Sequence, residues 1–235
     1  MLITCILANG HVLIEGMPGV AKTLMARLTA KLIDAKFSRI QFTPDLMPSD
    51  VLGTSVFSMK TSEFDFHPGP VFANIVLADE INRSPAKTQA ALFEVMEERQ
   101  VSMDGATYPM GELYTILATQ NPVEQEGTYR LPEAQLDRFL MKVTMGYPSA
   151  DDELEILKRH ERRTDLVKLS DVNPVLTKEE VLQLRSYMND VVIDESLLRY
   201  ITQIVQQTRS SRAVYLGASP RASVAMLQAS KAYAL

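Results

Sequence analysis

The stretch that most limits what this chain can fold into runs from His11 to Thr23. An apolar run, His11-Val12-Leu13-Ile14-Glu15, feeds directly into Gly16-Met17-Pro18-Gly19-Val20-Ala21-Lys22-Thr23. A glycine-rich turn between a strand and a helix leaves backbone N–H groups turned inward beside the positive end of the helix dipole, an arrangement that suits polyphosphate. Lys22 is then placed to reach the terminal phosphates, and the Thr23 hydroxyl to ligate magnesium. The generic pattern has glycine before the lysine. Ala21 stands there instead, a one-methyl departure that is tolerable if φ at that residue is negative. The competing reading is a plain strand-turn-helix.

The second chemical feature is Ile75-Val76-Leu77-Ala78-Asp79-Glu80, a continuous apolar run typical of strands buried on both faces, ending in two carboxylates. Placed beside the first strand of a parallel sheet, its carboxyl end opens onto the same loop. Asp79 would hold the magnesium shell and Glu80 would take a proton from the attacking water. Two solvated acids at a strand end are the bland alternative.

Between and beyond these features, strand and helix patterns alternate. Leu24, Leu28 and Leu32 mark an amphipathic helix, and Ser38 to Phe42 a short strand. Thr43 to Asp50 carries two prolines and is expected to be irregular. Phe64 and Phe66 indicate a hairpin ending at His67-Pro68-Gly69-Pro70, with His67 a turn residue rather than a metal ligand. A helix capped by Ser84 and opened by Pro85 should run to about Glu98, with Glu97-Glu98-Arg99 its solvated end. Asp104-Gly105 between short β-prone runs predicts a second hairpin over 100–110. Tyr114 to Thr119 is the next strand. At its end stand Gln120, Asn121 and Pro122, where an amide is placed to orient a water; the alternative is a turn asparagine. After a turn at Gly127, a short helix over 131–139 opened by Pro132 carries Asp137 and Arg138, and Met141 to Met145 is the last strand. Alternating strands and helices of this kind predict a parallel α/β sheet. From Gly146 onward the pattern is only helical, over about 151–163, 177–190, 194–208 and 219–234.

With net charge −5 and pI near 5.3, the chain gives no overall electrostatic reason to expect nucleic acid or an anionic membrane. Its single cysteine, Cys5, cannot form an internal disulfide and reads as a small buried hydrophobe. The apolar start lacks a basic region and does not resemble a signal peptide, and no apolar run approaches membrane-spanning length. A cytoplasmic location is therefore expected.

Several stretches together resemble the AAA+ ATPases, and within them the MoxR family: Gly16 to Thr23, Gln41-Phe42-Thr43-Pro44-Asp45-Leu46, Asp79-Glu80-Ile81-Asn82-Arg83, Ala118 to Pro122, Leu131 to Phe139, and Gly217-Ala218-Ser219-Pro220-Arg221. Ala21 is itself a feature of that family. The resemblance implies an α/β AAA+ P-loop core with a parallel sheet over 1–147, followed by a small all-helical lid domain over 148–235. It implies ATP and Mg2+ as cofactors, with Gly16 to Thr23 cradling the nucleotide and Thr23 and Asp79 on the metal. Glu80 would be catalytic, Asn121 the sensor-1 residue, Arg138 an arginine finger offered to a neighbouring subunit, and Arg221 the sensor-2 residue. The hairpins near Phe64 and Asp104 resemble the helix-2 insert and pre-sensor-1 hairpins, which lie towards a central pore. The implied partners are further copies in a homo-oligomeric ring, a hexamer, together with a client protein and a von Willebrand-type protein. The implied function is ATP hydrolysis driving chaperone-like remodelling or maturation of client complexes. The motor subunit of a metal chelatase and a non-hydrolysing scaffold are the alternatives. Relatives have a helical segment before the first strand that closes over the adenine. Here only eleven residues precede Val12, and Leu235 lies inside an apolar-periodic helix without a Gly or Asn cap, so a chain truncated at both ends is expected.

Overall fold

The computed structural model describes residues 1–17, 19–121, 128–161 and 169–235. A short helix, α1 (Leu2–Leu7), precedes strand β1 (Val12–Gly16), which leads through the glycine-rich turn into α2 (Lys22–Leu32). Then come β2 (Phe37–Gln41), α3 (Pro48–Leu52), the hairpin β3 (Gly53–Ser58) and β4 (Glu63–Pro68), and β5 (Ile75–Asp79). Helix α4 (Ala86–Glu98) is followed by the hairpin β6 (Gln100–Met103) and β7 (Ala106–Pro109), β8 (Thr115–Gln120), α5 (Glu133–Leu136) and β9 (Met141–Met145). Four helices close the chain: α6 (Ala150–Glu161), α7 (Lys178–Tyr187), α8 (Glu195–Ser210) and α9 (Pro220–Ala234).

The five-stranded sheet has the order β2-β5-β8-β1-β9, and every pairing in it is parallel. The acid-bearing strand does not lie beside β1 as expected; β8 stands between them. Alternate side chains of the central strands face two apolar layers. Leu13, Ile40, Val76, Ala78, Ile116 and Ala118 meet Leu92, Phe93, Val95 and Met96 of α4 on one face. Val12, Ile14, Ile75, Leu77 and Leu117 meet Ala26 and Ala30 of α2, Cys5 and Ile6 of α1 and Val181 of α7 on the other. Burial on both faces explains why these strands read as unbroken apolar runs. Each large side chain removed from water contributes about 1.5–3 kcal/mol, which makes the sheet the rigid base of the molecule.

Three local expectations change. Pro48 lies in the irregular stretch yet opens α3, because a proline at the first helical position lacks only an N–H that would be orphaned there. Ser84 does not cap α4; Pro85 is the residue before its first turn, and no side chain caps it. His67 lies within β4, paired with Thr54, rather than in a turn. The hairpin at Asp104-Gly105 forms as expected, with φ of 52° and 78° at the two turn residues. Phe66 stacks on Tyr108 at 4.1 Å, which ties the two hairpins together. The turn at Gly127, residue Pro122 and the end of the helix expected to reach Arg163 lie outside the described residues.

Candidate active site

The carboxyl edge of a parallel sheet is where its loops gather, and the order β5-β8-β1 brings three predicted groups there. Adjacent strands lie about 4.8 Å apart, so the ends of β1 and β5 stand roughly 10 Å from each other with β8 between. Gly16 ends β1 where β9 passes close by: a Cβ there would sit 3.0 Å from both the Cβ and the carbonyl oxygen of Met145. Gly19 has φ of +86° with open space around it, a conformation that suits glycine. Met17 and Val20 complete the described turn, whereas Pro18 lies outside the described residues.

Ala21 differs from expectation. Its φ is +57°, in the left-handed region, so the methyl group is accommodated at a cost rather than by negative φ. It is the residue before α2, and no side chain caps that helix. The first-turn N–H groups therefore remain for an anion. Lys22 turns back, its Nζ donating to the Gly16 carbonyl oxygen at 2.7 Å, and Thr23 follows it, half-buried, in the first turn.

The two acids are held differently. Asp79, nearly buried, accepts from the Thr119 hydroxyl at 2.6 Å on Oδ1, and on Oδ2 from Arg39 Nη2 at 2.7 Å and Nε at 3.1 Å. Glu80 follows it with φ of 57°. Its backbone N–H donates to the Thr119 hydroxyl oxygen at 2.9 Å, and its Oε2 accepts from Gln41 Nε2 at 2.8 Å with Arg83 Nε 3.4 Å away. Gln41 Oε1 in turn accepts from Arg39 Nη2 at 2.6 Å. Asn121 is buried immediately after β8, one strand from Asp79. Thr23 and Asp79 supply the hard oxygen donors that Mg2+ prefers, so the donor set fits that ion.

Arg138 and Arg221 lie elsewhere. Arg138 Nη1 donates to the Phe93 carbonyl at 2.9 Å and to Glu97 Oε2 at 3.0 Å, while Arg221 Nη2 donates to Glu97 Oε1 at 2.5 Å. Helix α4 runs from the carboxyl edge of the sheet back towards its amino edge, on the face opposite α2. Glu97 is eleven residues beyond Ala86, about 16 Å along the axis. Both arginines are thus gathered on one carboxylate away from the loop. Ser219 Oγ also donates to Asp137 at 2.7 Å. Sequence reading missed Arg39, Gln41, Thr119 and Glu97. Arg39 and Gln41 alternate along one short strand, which places them on one face, but nothing local names their partners on β5.

Among the described residues, no cluster of three or more His, Cys, Asp or Glu could hold a metal, and no helix is long and apolar enough to cross a membrane. Cys5 is fully buried and burial pushes its thiol up to about 12, in keeping with a packing role.

Residues 11–141 match the model of the ATPase family associated with various cellular activities (AAA). The chain is similar to YeaC, an uncharacterized protein of Bacillus subtilis (strain 168), at 53% identity over 99% of this chain and 72% of that protein. It is 45% identical to Chaperone MoxR1 of Mycobacterium tuberculosis, over 98% of this chain and 62% of that one. A crystal structure of a candidate ATPase from Cytophaga hutchinsonii superposes with a TM-score of 0.86 at 45% identity, covering 99% of this chain and 72% of that chain.

Proposed function

The chain belongs to the MoxR family of AAA+ ATPases, and on that footing we propose that it binds ATP with Mg2+ and hydrolyses it to remodel or mature a client protein complex. Residues 1–147 would be the ATPase core and 148–235 a helical lid, working in a homo-oligomeric ring of six. The observation that carries the reading is the meeting of loop and acids on one sheet edge, with the buried Thr119 hydroxyl bonded to the Asp79 side chain and the Glu80 backbone.

Magnesium, when bound, neutralises charge on the phosphate oxygens. Lys22 exchanges the Gly16 carbonyl for the phosphates, and Thr23 and Asp79 hold the ion. Glu80 accepts the proton of the water whose oxygen bonds to the γ-phosphorus as the bond to the β-phosphate oxygen breaks, and Asn121 orients that water. Glu80 Oε2 accepts from Gln41, and the second carboxylate oxygen, Oε1, is the one to take the proton. Arg138, held on Glu97, is offered to a neighbour's phosphates, where a guanidinium stabilises the spreading charge, and Arg221 on the same carboxylate is the sensor-2 residue.

Glu80→Gln should leave magnesium-ATP binding nearly intact while lowering turnover by roughly 10²–10⁴. Lys22→Ala should weaken binding itself, because it removes a charge from the phosphates. Binding is followed by calorimetry and turnover by phosphate release. Undiminished hydrolysis by Glu80→Gln would refute the base assignment, and unchanged affinity in Lys22→Ala would refute the loop.

A further inference from the structure

Glu15 is the last residue before the glycine-rich turn, and a carboxylate is an unexpected side chain there. The strand residues before it, Val12, Leu13 and Ile14, are fully buried or nearly so, and only 17% of the Glu15 side chain is exposed. A charge taken so far from water is costly unless its oxygens find donors. Both do. Oε1 accepts from Gln120 Nε2 at 3.1 Å and Oε2 from Lys142 Nζ at 2.8 Å, so one side chain on β1 holds both neighbouring strands, β8 and β9.

The place of this clamp matters more than its strength. Backbone pairing of β1 with β8 ends at Glu15 and Gln120, and Gly16 pairs onward with Met145 of β9. From there β1 enters the phosphate loop and β8 delivers Asn121, so the side-chain bond lies on the last rung before the two part. Alternation along β8 puts Thr119 and Gln120 on opposite faces of the sheet. Thr119 ties the strand to Asp79 of β5, and Gln120 ties it to Glu15 of β1. By the same alternation Glu15 shares the α4 face with Leu13, away from α2 and the helix start that would meet phosphate. We propose that Glu15 is a positioning residue: by holding Gln120 it sets the water-orienting Asn121 at its working distance from the loop, while Lys142 keeps the carboxylate turned that way. This role rests on the one given to Asn121 above.

The test is steady-state ATP turnover alongside affinity for a fluorescent ADP analogue. Glu15→Ala should leave KM and ADP affinity near those of the parent, which reports a folded chain with an intact loop, while lowering kcat by roughly 10–10², the scale expected for about 1 Å of misplacement. Glu15→Gln keeps an oxygen for the Gln120 amide and should restore most of that loss. Gln120→Ala should reproduce the loss with Glu15 still on Lys142, and it carries the test if Glu15→Ala does not fold. In an Asn121→Ala background, Glu15→Ala should cost nothing more, since a residue acting through another is non-additive with it. Undiminished kcat in Glu15→Ala or Gln120→Ala, weakened ADP affinity, a Glu15→Gln variant as slow as Glu15→Ala, or a further loss in the Asn121→Ala background would each overturn the assignment. Full turnover by Asn121→Ala alone would instead refute the role given to Asn121, and that of Glu15 with it.

Discussion

His11 immediately precedes the phosphate-loop strand and is nearly completely buried. The Ile116 backbone N–H donates to its Nδ1 at 3.0 Å, and its Nε2 lies 3.2 Å from the Met96 carbonyl oxygen. The ring is therefore neutral with the proton on Nε2. A second proton on Nδ1 would point at the Ile116 N–H. Burial, reinforced by the Arg99 guanidinium, lowers its pKa from 6.5 to about 4. Between those values the folded protein binds fewer protons than the unfolded chain, so stability present above pH 6.5 is lost as pH falls towards 4. The whole gap is worth about 3 kcal/mol at 1.36 kcal/mol per pH unit, and about 2 kcal/mol of it should be gone by pH 5. Against a typical total of about 5–15 kcal/mol this is a large fraction. Urea unfolding of the parent and of His11→Gln at pH 7.5 and pH 5 isolates it. The variant should be weaker at pH 7.5, having lost two buried hydrogen bonds, yet lose about 2 kcal/mol less than the parent on acidification. Equal losses in the two proteins would show that His11 is not held neutral.

Ala21→Gly should stabilise the protein. It relieves a left-handed alanine costing about 1–2 kcal/mol against roughly 0.4–1 kcal/mol of added unfolded-state entropy, for a rise in Tm of about 1–4 °C; a lower Tm would refute the strain. Arg138→Ala should keep ATP binding but lose turnover by roughly 10³–10⁵, and mixing it with Lys22→Ala should restore activity at interfaces pairing an intact loop with an intact arginine; full activity of Arg138→Ala alone would end the ring inference. Glu97→Gln leaves both guanidiniums in place, so in the same assay its loss should be smaller than that of Arg138→Ala. A larger loss would give Glu97 a role beyond gathering them.

Elements whose signals are local could be read from the chain. The strand entering Gly16, the buried run to Asp79 and the Asp104-Gly105 turn depend on periodicity or turn chemistry within a few residues, and they form where expected. Order across the sheet is not local, which is why β8 was not foreseen between β1 and β5. Helix α1 escaped notice because Leu2, Cys5 and Ile6 are too few to establish a helical period, and their packing against α7 and α9 supplies the rest. Glu97 reads as the solvated end of a helix because its two partners come 41 and 124 residues later. The same holds for Arg39, whose role depends on an aspartate 40 residues away. Ala21 shows the reverse: its residue type was plain, but its dihedral was not.

The bond from Ser219 to Asp137 makes the start of α9 a hinge pin. Ser219 caps that helix by accepting from the Arg221 N–H at 3.0 Å, so the pin, the cap and Arg221 move as a unit, and Arg138 is the next residue after Asp137. Helix α9 is about 22 Å long and rests on α1. A tilt of about 10° around the pinned end would carry the far end roughly 4 Å along α1 while barely displacing either guanidinium. The two arginines therefore sit near the still point of a lever whose long arm lies along α1, so a tilt of α9 would leave the charge cluster on Glu97 in place.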